Sequence, residues 1–440
     1  MPGGCYDQMV DSELGDRAAL HLHFGRDLVV EANARDTVAT ALLRAGQLAC
    51  TRSPKYRRAR GPYCLLGDCG SCQVRIEGQP NIRACTTVVR DGLHVAPQNH
   101  WGPTGLDPTG MIDHVFTGGI DHHHMMVKPR VLNQLMQATA RSLTGFGTLP
   151  DQPPQAPAQH REHRPEVLVI GAGHMGRSIA CALEAAGIDV CTLDRRDRLA
   201  LETWSSAPLP SNLLCSTGVF AAYPNEGSPP EGSRWVAASD PLASPRTLHS
   251  LYPKHVVLAV GGRDPMLLLP RNDLPGVVSA RGLVHMLKRT QQPLPGPIVV
   301  IAKQAARGQR FVDQLQAQLP QAQITSVPFA EVVELRGSDR VTGVQTTSQL
   351  IDCQFVALAP IPAPAHELPR MAGAPLRFDG HGYAVVTDSE GRCVTAESSG
   401  SGGCGGWTLW ACGDVCGHSE DDTSLKLVDA LTQALKADAP

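Results

Sequence analysis

The sequence predicts two domains of different class: a small α+β module, then a larger α/β part wound around parallel strands. Three observations carry this. Four cysteines crowd one short segment between alternating strands, a continuous apolar strand runs straight into a glycine-rich turn, and a proline-rich stretch lies between the two. A chain of 440 residues has room for two or three separate cores. A hydrophobic content of 42% against 18% charged fits ordinary globular domains, and a net charge of −3 gives no reason to expect a nucleic-acid or anionic-membrane partner.

Residues 1–17 are polar and read as loose. Leu20-His-Leu-His-Phe24 alternates and is followed by Asp27-Leu-Val-Val30, the pattern of a hairpin. Thr37 to Arg44 reads as a helix stopped by Gly46. The cysteine segment comes next, Cys64-Leu-Leu-Gly-Asp-Cys69-Gly-Ser-Cys72, with Cys85 twelve residues further on. The spacing C-x4-C-x2-C plus a distant fourth Cys is the plant-type pattern for a [2Fe–2S] cluster, in which four thiolates hold two irons. Gly67 and Gly70 let the backbone curl so that amide N–H groups face the sulfurs. A zinc site would more often use two paired motifs. Gln73–Glu77 and Thr86–Arg90 read as flanking strands, and the strands end near Val95. Hairpin, helix and cluster loop together give the plan of a β-grasp ferredoxin-like domain over 18–100.

A helical connector and linker is expected over 101–164. Pro129 to Leu143 reads as a helix with Val131, Leu132, Leu135, Met136 and Ala138 on one side, and Pro150–His160 is the proline-rich linker. Asp121-His122-His123-His124 has metal-ligand residue types, but adjacent residues cannot all face one ion, so an interface or a hydrogen-bonded turn is the simpler reading. Lys55, Arg57, Arg58 and Arg60 form a basic run, either a solvated face or a patch for an acidic partner.

The larger part covers 165–440. Glu166-Val-Leu-Val-Ile170 reads as a parallel strand buried on both faces. It enters Gly171-Ala-Gly173-His-Met-Gly176, then a helix from Arg177 to Ala186, then a strand from Ile188 to Leu193 ending in Asp194. This is a βαβ unit with G-x-G-x-x-G at its first turn and an acid about 20 residues on. The glycines admit the pyrophosphate, the helix N-terminus faces it, and Asp194 is placed for a ribose hydroxyl. His255 to Gly261-Gly262 is another strand ending in glycines, and Thr408 to Ala411 precedes Gly413-Asp414. Thr423 to Leu435 reads as a final helix, and the Pro-rich stretches 224–230 and 360–369 as surface connections.

These marks resemble a flavoprotein with two dinucleotide-binding domains. The Gly171 turn would take the ADP half of FAD. Val260-Gly261-Gly262 stands where that family has Ala-Thr-Gly, and Gly413-Asp414 matches the Gly-Asp pair that holds the ribityl-phosphate side. A narrower resemblance is to the electron-transfer components of heteromeric amine and amino-acid oxidoreductases. These are the A and B components of hydrogen cyanide synthase, the A component of opine oxidase, the dye-linked proline dehydrogenases and the alpha component of sarcosine oxidase. It rests on the Ser53–Gly61 lead-in, on Gly78-Gln-Pro-Asn-Ile-Arg-Ala-Cys85 and on Asp273-Leu-Pro-Gly-Val277. The chain resembles a fusion of the hydrogen cyanide synthase A and B modules. The resemblance implies an FAD part at 165–265 and 375–440, and a degenerate NAD-like part at 266–374. In the latter, Ala302, Gln304 and Arg307 replace the glycines of a second dinucleotide turn, which argues against a working NAD(P)H site.

The implied cofactors are FAD, at Gly171, Gly173, Gly176, Asp194, Gly261, Gly413 and Asp414, and a [2Fe–2S] cluster on Cys64, Cys69, Cys72 and Cys85. The implied activity is that of an oxidoreductase subunit, receiving electrons from a substrate-oxidising flavoprotein partner and passing them to an acceptor such as a quinone. An NAD(P)H-dependent flavin reductase feeding its fused ferredoxin, or a scaffold with a structural nucleotide, are the alternatives. No general acid or base stands out. The N-terminus shows no export signal and no run of about 18 apolar residues exists, so the cytoplasm is expected. With fourteen cysteines, reduced thiols and metal ligands are then expected rather than disulfides. Cys412 and Cys416 flank the Gly-Asp turn and read as small buried thiols rather than a redox pair; Cys404 has no assigned role.

Overall fold

The computed structural model describes residues 19–53, 58–99, 129–143, 157–223, 234–243, 245–393, 407–417 and 424–437. Lys55, Arg57, Asp121–His124, Cys404, the stretch 224–230 and the N-terminal residues read as loose lie outside them. Strands β1 (Leu20–Phe24), β2 (Leu28–Ala32), β3 (Gln73–Ile76), β4 (Gln79–Arg83) and β5 (Leu93–Pro97) form one sheet in the order β2-β1-β5-β3-β4. Helix α1 (Val38–Arg44) is capped reciprocally by Thr37 and Thr40, and it buries Val38, Ala39, Ala41, Leu42 and Leu43.

One expected strand is elsewhere. Thr86–Arg90 forms no strand, only an isolated bridge from Val88 to Thr37; Thr86 and Thr87 hydroxyls donate back to the Arg83 carbonyl, which folds the chain around Cys85. The strand lies at Gln79–Arg83 instead, with Pro80 tolerated because β4 is the sheet edge.

Helix α2 (Arg130–Leu143) forms where expected, with Val131, Leu132 and Leu135 exposed. The proline-rich linker stops earlier than the sequence suggested. Gln159–His163 is strand β6, because its backbone pairs in parallel with a later strand over five residues.

Strand β7 (Val167–Ile170), helix α3 (His174–Ala185) and strand β8 (Val190–Leu193) make the βαβ unit. The helix starts three residues before Arg177 because Gly173 is its N-cap. After helix α4 (Arg198–Trp204) come β9 (Leu213–Leu214), β10 (Thr217–Tyr223), β11 (Arg234–Ser239), β12 (Thr247–Leu251) and β13 (His255–Leu258). Next are β14 (Val277–Ser279), α5 (Ala280–Thr290), β15 (Ile298–Ala302), α6 (Ala305–Gln318), β16 (Ile324–Pro328) and β17 (Phe355–Ala359). Helix α7 (Glu367–Met371), strand β18 (Thr408–Ala411) and helix α8 (Ser424–Ala437) follow. The stretch 360–369 is not a surface connection: Pro362, Pro364 and Pro369 are buried, and Ala363–Pro364 pairs with Gly262–Arg263.

Two compact units result. One takes Pro154–Pro265 with Ile361–Pro440. Its parallel sheet runs β9-β8-β7-β13-β18, beside a second sheet β10-β11-β12-β6. In chain order the parallel sheet reads third, second, first, fourth, fifth, so the strand order reverses between β7 and β13. In such folds that reversal point is where a ligand crevice forms. The other unit joins Ser12–Pro153 with Met266–Pro360. It holds the cysteine module and a parallel sheet ordered β14-β17-β15-β16. Among the described residues no helix is long and apolar enough to cross a membrane.

Candidate functional site

The cysteine loop is built from backbone turns that most residues avoid. Leu65, Gly67 and Gly70 all have positive φ, and a β-carbon on Gly67 would meet the Thr86 methyl at 2.8 Å. The curl aims amides at sulfur: Asp68 N–H and Cys69 N–H donate to Cys64 Sγ at 3.1 and 3.3 Å. The side chain of Cys64 interacts with those of Cys69 and Cys85, and that of Cys85 with Cys72. The Cys69 and Cys85 thiols pull Cys64 down to about 2, and Cys85 likewise lowers Cys72. Cys69 and Cys85 are pushed up in return.

No trio of His, Cys, Asp or Glu among the described residues is placed to hold a single ion. A two-iron cluster asks for something different, four sulfurs grouped as two pairs. Cys69, Cys64, Cys85 and Cys72 form one linked run of four side chains, which supplies the four sulfurs such a cluster needs. The four expected ligands are therefore brought together.

The loop rests on the second half of its own unit. Ser279 N–H donates to the Tyr63 carbonyl at 2.8 Å, and Gly282 in the first turn of α5 lies against Cys64. Arg35 Nε donates to the Arg289 carbonyl and Arg289 Nε to the Arg35 carbonyl, both at 2.8 Å. Arg60 pairs with Asp273 at 3.0 Å, and Gly276 packs on Leu48. So Arg60, read as basic surface, is partly used inside the unit, holding the Asp273-Leu-Pro-Gly segment.

The glycine turn sits at the strand-order reversal. Gly171 has φ +102°, and a β-carbon there would lie 2.4 Å from the Ala259 carbonyl of the neighbouring strand exit. A β-carbon on Gly176 would lie 1.9 Å from the Gly171 carbonyl, whereas Gly173 faces open space with only Arg196 Nη2 near, at 3.9 Å. Two glycines thus close the turn and the third leaves room, which fits a pyrophosphate beneath the α3 N-terminus. Gly413 (φ +77°) packs on Met175, and Asp414 is exposed with its Cβ near Gly262. Gly261 has φ +70° and open space around it. The three glycine segments expected for a flavin nucleotide therefore converge.

Two features escaped the sequence. Arg177 is completely buried and donates five hydrogen bonds to the carbonyls of Ala172, Leu201, Ser205 and Ala207, tying the glycine turn to the end of α4. Asp194 is not open to a ribose: Oδ2 accepts from Ala172 N–H and Arg196 Nη2, both at 2.7 Å, and Oδ1 from Arg196 N–H and Nε. Burial pushes this carboxyl up, but the Arg196 guanidinium outweighs burial and holds it below the usual range. At the second turn, Ala302, Gln304 and Arg307 occupy the strand exit and start of α6, as expected. Cys412 and Cys416 form no disulfide among the described residues, and burial pushes Cys416 up to about 12.

Fold and site together define a doubly wound dinucleotide-type fold joined in one chain to an iron–sulfur-type cysteine module. Residues 26–100 match the 2Fe-2S iron-sulfur cluster binding domain, and the chain belongs to that family. Hydrogen cyanide synthase subunit HcnA of Pseudomonas aeruginosa is 36% identical over 84 residues, 19% of this chain and 79% of HcnA. The alpha subunit of sarcosine oxidase from Rhizobium meliloti is 25% identical over 285 residues, 58% of this chain; the chain spans only 29% of that subunit. The L-proline dehydrogenase structure from P. horikoshii shares the fold with a TM-score of 0.67 at 17% identity, covering 96% of this chain and 75% of that one. The matched domain supports a [2Fe–2S] cluster within residues 26–100, and the likeness to the L-proline dehydrogenase structure supports the dinucleotide-type fold of the rest.

Proposed function

We propose that this chain is the electron-transfer subunit of an amine or amino-acid dehydrogenase complex. A partner flavoprotein subunit oxidises the C–N bond, and this chain carries the electrons on to an acceptor such as a quinone. Of the groups implied, a flavin exchanges two electrons or one while a [2Fe–2S] centre takes one at a time, so together they turn hydride chemistry into single-electron flow.

The observation that carries the reading is the presence in one chain of a loop that gathers four thiols and a glycine turn at the strand-order reversal. The chain's residues have distinct tasks. Cys64, Cys69, Cys72 and Cys85 hold the cluster, and amides of Asp68 and Cys69 neutralise sulfur charge. Gly171, Gly173 and Gly176 admit the pyrophosphate, and Gly261, Gly413 and Asp414 line its continuation. The domain limits we assign are 18–100 for the cluster module, 101–164 for the connector, and 165–440 for the flavoprotein part. The sarcosine oxidase and hydrogen cyanide synthase relatives are named as subunits, which supports a hetero-oligomer. The cytoplasm is the compartment we assign to it.

Anaerobic purification, the visible spectrum and EPR after dithionite reduction test this. Flavin bands with a rhombic [2Fe–2S] signal are expected, and Cys85→Ser should remove the EPR signal and the electron flux. A Cys85→Ser protein that keeps both would refute the ligand assignment.

A further inference from the structure

The acid at the end of the second strand is where a dinucleotide fold ordinarily reads the ribose, and here that acid is already taken. Each Asp194 oxygen accepts two hydrogen bonds, so both lone pairs of both oxygens are used. The pair is closed in: the Asp194 side chain is 4% exposed and that of Arg196 15%. The Arg196 guanidinium also lies over the Trp204 ring, its Cζ 4.7 Å from the centroid. Its Nη2 stands 3.9 Å from where a β-carbon on Gly173 would be, so the cation leans over the open glycine of the turn. Among the described residues, Arg196 donates to Asp194 through Nε and Nη2, which leaves the Nη1 hydrogens for a ligand.

We propose that Arg196, not Asp194, reads the adenosine end of the bound nucleotide, so that this site accepts a 2′-phosphorylated adenine nucleotide as well as the plain one. The inference rests on the dinucleotide reading of the Gly171 turn and deepens it. In dinucleotide folds a free carboxylate accepts from the ribose diol and repels a 2′-phosphate, whereas a nearby arginine accommodates that phosphate. Here the carboxylate charge is cancelled by a bidentate guanidinium. Guanidinium N–H donors serve a ribose hydroxyl or a phosphate equally, so FAD remains a ligand while discrimination against the phosphate is lost.

The test is calorimetric titration of the full chain, freed of carried-over nucleotide, with ADP and with 2′-phospho-ADP. Wild-type protein should bind 2′-phospho-ADP at least as tightly as ADP. Arg196→Gln should weaken 2′-phospho-ADP about tenfold more than ADP. Because Arg196→Gln leaves a buried carboxylate unpaired, Asp194→Asn provides a second variant, and it should shift preference further towards the 2′-phosphate. A wild-type preference for ADP of about tenfold or more would overturn the proposal, as would an unchanged ratio in both variants. If neither ligand binds, the dinucleotide reading itself falls, and the inference with it.

Discussion

Gly282 lies in the first turn of α5 against the backbone of Cys64, so close that a β-carbon at 282 would stand 2.1 Å from the Cys64 carbonyl oxygen. The contact fixes how the cluster loop seats on the sheet edge, since Ser279 N–H holds the Tyr63 carbonyl one turn away. Gly282→Ala should push helix and loop apart at a cost of about 1–3 kcal/mol. The expected readout is faster loss of the cluster's visible absorbance on standing, with a lower Tm. A variant whose cluster bleaches at the wild-type rate would mean that the loop does not depend on α5.

Gly171 has no room for a side chain and a φ of +102° that side chains avoid. Gly171→Ala should therefore cost more than about 2 kcal/mol, from backbone strain plus the clash with the Ala259 carbonyl. Its flavin content on purification should fall while the EPR signal of the cluster persists, because the two sites are in separate units. Parallel loss of both centres would instead signal global misfolding.

Arg177 is a buried cation whose five hydrogen bonds, among the described residues, all go to carbonyls. Burial lowers its pKa, and the nearby Arg196 lowers it further. Arg177→Met keeps much of the volume but strands four carbonyl oxygens, so urea denaturation should show a loss of about 3 kcal/mol. Arg177→Lys should recover little, since one ammonium cannot span acceptors on both the turn and the end of α4.

Both cofactor loops were legible from the sequence because each depends on local chemistry. Cysteine spacing gathers the four sulfurs, and the order of strand, glycines and helix sets the glycine turn. What stayed hidden depends on contacts between distant residues. Gly282 looks like an indifferent glycine within a helix until Cys64 is placed on it. Arg177 is read only as the start of the helix after the glycine motif, yet its acceptors come from residues up to thirty positions away. Asp194 has the right type and place for a ribose, and only the fold of the β8–α4 loop shows Arg196 closing on it. Strand β4 was missed because Pro80 and Asn81 disfavour strands, a preference that an edge position overrides.

Cys50 separates ligands from bystanders. It is fully buried in the cysteine module, and burial, then the charge of nearby Cys72, raise its pKa. Cys50→Ser should lower stability by about 1–2 kcal/mol by burying a hydroxyl in place of a thiol, and leave iron content unchanged. Cys72→Ser should lose iron. Equal iron loss in the two variants would place Cys50 among the ligands.

The pair His163 and His249 gives the fold an acid-sensitive seam. His163 Nε2 and His249 Nδ1 are 2.9 Å apart with their rings stacked, a bond that needs at least one nitrogen unprotonated. Burial, with His163 and Arg161 nearby, lowers His249 from 6.5 to about 4; burial and Arg161 lower His163. A base depressed in the folded state is protonated first in the unfolded chain, so the unfolded state takes up more protons as pH falls. The stability held by the neutral pair is therefore complete above pH 6.5 and declines as pH drops towards about 4. His249→Gln should flatten that part of the profile by on the order of 1 kcal/mol, measured as the wild-type minus variant difference in urea unfolding. Carboxylates that titrate in the same range act on both proteins and cancel in that difference. Superimposable profiles would mean that the pair does not control acid stability.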